Sequence, residues 1–178
     1  MQHKVVTPPQ AIEAEEAIIG CILLNPSKFK ETSGYIIEDD VFYDDRNKLL
    51  WEKIKHMIVD DEHIDQVTLC SNLTPRDREN GLDEYYITGI SNEAGTVENI
   101  SSYGKVVYKK YLMRRLIEET HAIQSKAYLS NGNAYDVLNN TYTTISELMD
   151  MQPHKHFDID DAISETIENI KNSDRNLI

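Results

Sequence analysis

Apolar residues recur along this chain at helical spacing, and sustained period-2 alternation is hard to find. In "EAEEAIIGCILLNP", Glu13 to Pro26, acids come first, then Ile18, Ile19, Ile22 and Leu23, then a proline. That order predicts a helix whose acids sit at the positive end of its dipole. Gly20 falls inside it, where glycine costs about 1 kcal/mol relative to alanine, and no catalytic side chain lies nearby to explain it. Pro26-Ser27 can open a second short helix. "DDVFYDDRNKLLWEKIKHMI" predicts a third, with Leu49, Leu50, Lys53, Ile54, Met57 and Ile58 on one face. "HIDQVTLCSNL" reads as a loop and cap followed by a short helix carrying Leu69, Cys70 and Leu73. In "LTPRDRENG", Thr74 is the N-cap, Pro75 the first helical residue and Gly81 lies beyond the end.

These short helices predict a compact head over residues 1–95. Residues 97–128 then run without proline and with Gly104 as their one glycine, until "NGN" at 131–133. A further helix begins at Ala134, where Ala134, Leu138, Thr141, Ile145 and Leu148 space 4-3-4-3 as a seam for an antiparallel neighbour. Residues 96–151 are thus expected to form an αα-hairpin. On its first arm Val106, Leu112, Met113, Leu116, Ile117, Ile123 and Ala127 cover more than half the circumference. One partner helix cannot cover that arc, so either the head or another subunit must. Residues 152–178 are expected to form a linker and a separate amphipathic helix with Ile159, Ile163, Ile167 and Ile170 along one stripe. The fold class expected is all-α.

Charge changes the picture. The chain of 178 residues carries a net charge of −13, which argues against a surface dominated by phosphate contacts. Cys21 and Cys70 have no CxxC partner and read as small, reduced core residues of a cytoplasmic protein. No apolar run approaches the roughly 20 residues that span a bilayer, and no signal-peptide pattern opens the chain. The acidic pairs Asp39-Asp40, Asp44-Asp45, Asp60-Asp61 and Asp160-Asp161 lack a histidine at ligand spacing, and adjacent helical residues do not face each other. His154 and His156 flank Lys155 in the linker and read as solvent-exposed. No GxxxxGK[ST] or GxGxxG cradle occurs, and nothing nominates a nucleophile. No catalytic, cofactor or metal residues are therefore assigned. Lys105, Lys109, Lys110, Arg114 and Arg115, interleaved with Tyr103, Tyr108 and Tyr111, are the basic exception. Helical geometry spreads those charges over several sides, so direct DNA binding is expected to be weak or absent.

Four ordered stretches carry a family resemblance. "PQAIEAEEAIIGCILLNP" resembles the opening of bacterial and phage replicative DNA helicases of the DnaB family, through Pro9, Glu13-Ala14-Glu15, Ile18-Ile19, Gly20, Ile22-Leu23 and Asn25. "DDVFYDDRNKLLWEKI" resembles the family's Asp-Phe-Tyr segment, and "IDQVTL" its Ile-Asp-x-Val-Thr-Leu. "NISSYGKVVYKKYLMRRLI" is similar to its Asn-Ile-x-x-Tyr segment, through Asn99, Ile100, Tyr103, Val107, Arg115, Leu116 and Ile117. Ala11 replaces a usual Ser or Asn cap, Asn47 a common histidine, and a usual Gly-Gly before "YY" is missing.

The resemblance covers the family's N-terminal domain and linker. It implies a parent that unwinds DNA with an ATP- and Mg-dependent RecA-like motor absent from this chain, which is then an excised fragment or a motorless homologue. It further implies hairpins that pair into dimers, three dimers forming a collar on a hexameric ring. Primase and a helicase loader would dock there, and the linker helix, through Ile159, Ile163, Ile167 and Ile170, on an adjacent motor domain. Self-association is then expected through Val106, Leu112, Met113, Leu116, Ile117, Ile123, Leu138, Ile145 and Leu148, while Gly20 permits close helix packing in the head. A free-standing adaptor that binds a helicase or primase is the alternative; a metal-dependent hydrolase using the acidic pairs is a further one.

Overall fold

A computed structural model of the chain describes residues 7–36, 38–94, 99–129 and 133–151. Among them lie eight α-helices and no strand: α1 (Ile12–Leu24), α2 (Phe29–Thr32), α3 (Asp45–Val59), α4 (Gln66–Ser71), α5 (Pro75–Glu79), α6 (Glu84–Glu93), α7 (Ile100–Leu129) and α8 (Ala134–Asp150). Short 3-10 turns at Pro26–Lys28 and Asp39–Val41 precede α2 and α3. The all-α reading holds. The expected linker helix and His154 and His156 lie outside the described residues, as does the proposed boundary at Gly95.

Helix α1 is the axis of the head. It packs on α3, α6 and α7, and its residues 18–23 are all buried. Gly20 explains itself here: a Cβ on it would lie 2.7 Å from both the Ala94 Cβ and the Ile90 carbonyl oxygen. The two helix backbones meet where a side chain would stand. Around α1 gather Leu50, Ile54, Leu69, Leu82, Ile87, Ile100 and Val107, all fully buried. Trp51 stacks on Phe29, with ring centroids 4.9 Å apart, and tilts against Phe42 at 5.2 Å.

The small helices are closed by local chemistry. Asp65 and Thr68 form a reciprocal capping box at α4, and Thr74 and Asp77 another at α5, with Pro75 in the first turn. Gly81 follows α5 at a φ of +79°, the left-handed region glycine enters freely. Ala11 offers no side-chain cap to α1, in keeping with its departure from the usual Ser or Asn.

Two expected faces shift. On α3 the buried residues are Asn47, Leu50, Trp51, Ile54 and Met57; Lys53 stays at the edge, its ammonium 2.7 Å from Asp77. Leu73 lies beyond α4, which ends at Ser71, and is buried there. On α8, Thr141, Ile145 and Leu148 of the expected seam are half-buried, while Ala134 and Leu138 are exposed and Val137 and Thr144 are half-buried instead. The half-buried positions on this helix are Val137, Thr141, Thr144, Ile145, Ser146 and Leu148, most of them small or β-branched.

Candidate assembly surface and the network that holds it

Helix α7 belongs to the head at one end and to the hairpin at the other. Ile100, Gly104, Val107, Tyr108 and Tyr111 are buried, and the Gly104 backbone meets the Tyr35 ring, where a Cβ would lie 2.8 Å from Cδ2. Further on, α7 packs against α8, and Met151 returns to the core. The remaining flank has no cover among the described residues: Val106, Met113, Leu116 and Ile117 are 41 to 55% exposed. Neither the head nor α8 therefore accounts for the wide apolar arc of this arm. Leu112 is half-buried against the core of the head, and Ile123 is half-buried further along the arm.

Helix α8 carries a second uncovered stripe. Tyr135, Leu138, Tyr142 and Met149 are 62 to 78% exposed, and with half-buried Ile145 they space 3-4-3-4. At 100° per residue this stripe stands about 120° around α8 from the Val137–Thr141–Thr144–Leu148 seam. Of the residues expected to mediate self-association, Val106, Met113, Leu116, Ile117 and Leu138 are thus available. Leu112, packed on the core of the head, and Ile123, Ile145 and Leu148 are half-buried within the single chain. Tyr135, Tyr142 and Met149 join the set, and their spacing with Leu138 was readable in the sequence. Ile159, Ile163, Ile167 and Ile170 lie outside the described residues.

The direction in which α7 leaves the head is fixed by a buried polar network. Glu15 is fully buried, and its carboxylate accepts from the Tyr43 N–H at 2.7 Å, the Asp44 N–H at 3.2 Å and the Asn47 Nδ2 at 3.2 Å. Burial pushes its carboxyl above the ordinary range, and these bonds pull against that rise. From the other side Arg114 donates to the carbonyl oxygens of Pro9 at 3.0 Å, Asp40 at 3.1 Å and Val41 at 2.8 Å. The segment 40–44 is held at its N–H groups by α1 and at its carbonyls by α7. Asn47 also accepts from the Tyr86 hydroxyl at 2.8 Å, tying in α6, and the Arg46 guanidinium lies 3.9 Å above that ring. A groove of about 600 Å³ opens beside the segment, lined by Pro8, Pro9, Tyr43, Tyr111, Arg114 and Ile117.

Candidate chemistry dissolves into structure. Asp44 caps α3, Asp39 pairs with Lys55, and Asp40 and Asp45 each lie 3.7 Å from Lys48. No metal-holding group of three His, Cys, Asp or Glu occurs among the described residues. Arg114 is spent on carbonyls and Arg115 on Glu118 and Glu119, leaving Lys105, Lys109 and Lys110 as the exposed remainder of the basic stretch. No described helix is long and apolar enough to cross a membrane.

The sequence motifs thus serve capping and packing in a helical head, which bears a hairpin with two apolar stripes uncovered among the described residues. The profile of the DnaB-like helicase N terminal domain matches residues 7–109, and the chain belongs to that family. It is 33% identical over 169 residues to the replicative DNA helicase DnaC of Bacillus subtilis (strain 168), covering 92% of this chain and 36% of that protein. The replicative DNA helicase DnaB of Geobacillus stearothermophilus is 26% identical, with the same coverages of 92% and 36%. The crystal structure of the N-terminal domain of DnaB helicase from Mycobacterium tuberculosis shares the fold, with a TM-score of 0.70 and 23% identity. It covers 79% of this chain and 99% of that one. The chain therefore spans about a third of the length of these full helicases and corresponds to their N-terminal domain.

Proposed function

We propose that this chain is the assembly and docking domain of a cytoplasmic, hexameric replicative DNA helicase. Its hairpins pair into dimers, three dimers close a collar, and primase and the helicase loader dock on that collar. ATP and Mg are the business of a motor domain that this chain does not include, and unwinding belongs to that motor. The observation that carries the reading is the pair of outward apolar stripes on α7 and α8. Fully burying one large aliphatic side chain contributes about 1.5–3 kcal/mol, so covering stripes of four and five residues gives a dimer enough to offset the entropy of association.

Leu116→Asp and Leu138→Asp test it. Both positions are exposed in the single chain, so the fold tolerates the change, while an interface would bury an unpaired carboxylate. Analytical ultracentrifugation of the 178-residue chain should show an oligomer for the parent and monomers for both variants, with unchanged circular dichroism. Variants that sediment as the parent's oligomer would remove the hairpin as the interface.

A further inference from the structure

Three glycines, Gly20, Gly89 and Gly104, lie inside described helices, and two have an internal reason. Gly20 lets α1 meet α6, and Gly104 meets the Tyr35 ring. Gly89, inside α6, has no such neighbour: apart from its chain neighbours and the backbone of its own helix, no described heavy atom lies within 4 Å of where its Cβ would stand, and its φ lies outside the left-handed region. A glycine there costs about 1 kcal/mol against alanine, and nothing in the described chain offsets that. What a bare helix flank offers is room for another backbone to come close.

The surface next to Gly89 has the shape for one. Helices α4 and α6 pack together and leave a shallow groove of about 440 Å³ lined by Val67, Cys70, Ser71 and Thr88, with Arg78 and Glu84. Val67 is 72% exposed and Tyr85 87%. Tyr85 and Gly89 are four residues apart, so they stack on the flank of α6 adjoining Thr88. A groove between two helices is filled by a third helix, whose side-chain ridges enter it.

Charge specifies the occupant. Between residues 60 and 94, nine acidic side chains stand against two basic ones, Arg76 and Arg78. That fifth of the chain holds over half of the net −13. Arg78 is already paired with Glu84 at 2.6 Å, and Asp77 is taken up by Lys53. Asp65 and Asp83 sit at the N-termini of α4 and α6, while Glu62 accepts from Asn72 at the C-terminus of α4. The floor of the groove is made of small and polar side chains around Val67 and Cys70, with Gln66 donating to the Thr88 hydroxyl at 2.8 Å, and carboxylates stand around its frame.

We propose that the α4–α6 groove docks a basic amphipathic helix of a partner protein. Its apolar stripe lies over Val67 and Thr88, its backbone runs close to Gly89, and its lysines or arginines meet Glu62, Asp65, Asp83 and Glu84. This deepens the docking reading and rests on it in one respect, that the partner is a protein. The groove takes no lining from α7 or α8, so a failure of the hairpin variants leaves it standing.

The test titrates the isotopically labelled chain with three synthetic peptides of about 18 residues, followed by amide chemical shifts. One is an amphipathic Leu/Lys helix, one its scrambled sequence, one a Leu/Gln helix of the same pattern. The Leu/Lys helix should shift amides of residues 66–71 and 84–92, at least tenfold more tightly than either control. Gly89→Gln should weaken it by about tenfold or more while melting no lower than the parent, because its side chain has open space and its helix propensity is better. Equal binding of the scrambled peptide, shifts centred on the hairpin, or an unaffected Gly89→Gln would overturn the proposal. Shifts of the same amides on simple dilution, with no peptide present, would make a second copy of this chain the occupant and overturn it equally.

Discussion

Replacing Gly20 and Gly89 by alanine applies one chemical change to two helices with opposite expected outcomes. Each substitution removes backbone freedom from the unfolded chain and gains about 1 kcal/mol of helix propensity. At Gly89 nothing described outside its chain neighbours and its own helix's backbone lies within 4 Å of the new methyl group, so the gain stands. At Gly20 the methyl would sit 2.7 Å from the Ala94 Cβ and 2.7 Å from the Ile90 carbonyl oxygen. Both groups are fixed to the α6 backbone and cannot swing aside, so α6 must move off α1. Overpacking of this kind costs about 1–3 kcal/mol, and fixed groups on both counts place it near the upper end. Gly20→Ala should therefore be less stable than the parent by about 2 kcal/mol net, and Gly89→Ala more stable by about 1. Urea unfolding reads this directly. Trp51, the one tryptophan of the chain, sits 2% exposed between Phe29 and Phe42, and its fluorescence reports on the head. With a denaturant slope of about 2 kcal/mol per molar, the midpoints should move by about 1 M downward and about 0.5 M upward. A Gly20→Ala midpoint at or above the parent's would refute the close-approach argument.

Two further substitutions probe the supporting contacts. Arg114→Lys should cost about 1–3 kcal/mol, because an ammonium cannot span the carbonyls of Pro9, Asp40 and Val41 as the guanidinium fork does. Amide exchange at Tyr43 and Asp44 should rise with it, and unchanged exchange there would separate Arg114 from the segment it is said to hold. Burial pushes the Asp77 carboxyl up, but Lys53 and Thr74 outweigh it and hold it below the ordinary 3.8. A lowered folded value contributes stability above the unfolded one and loses it as the pH falls through the folded one. The gap between parent and Asp77→Asn, about 1–2 kcal/mol at neutral pH, should therefore narrow below about pH 4, and a gap constant from pH 7 to 3 would sink the assignment.

What the sequence made legible is what neighbouring residues decide among themselves. Thr74, Pro75 and Gly81 bracket α5 within eight positions, and each acts on backbone groups no more than a few residues away, so the helix could be read complete. Glu15 could not. It reads as a first-turn acid, yet it stands three, four and seven residues before Ile18, Ile19 and Ile22, on the stripe that enters the core. What makes that position tolerable is a set of donors 28 to 32 residues away, which no local pattern discloses. The family motifs take on physical meaning in the same way. The second glutamate of Glu13-Ala14-Glu15 holds the backbone of the segment that resembles Asp-Phe-Tyr, and neither stretch explains itself alone.

The misplaced seam on α8 follows from a different limit. Two sets at 3-4 spacing run along this helix, Val137–Thr141–Thr144–Leu148 and Tyr135–Leu138–Tyr142–Ile145–Met149. Hydrophobicity favours the second as the buried one, and periodicity accepts either. The first set is the half-buried one, as expected where valine and threonine leave a neighbouring helix more room than tyrosine does. Small residues therefore go inward, and the larger apolar surface is left outside the hairpin. An exposed stripe containing two tyrosines, a leucine and a methionine is costly on a lone chain, and nothing among the described residues covers it. The same reasoning that takes Leu138 out of the seam thus strengthens the case for a partner on that flank of α8, because the large side chains left outside the hairpin are the ones an interface uses best.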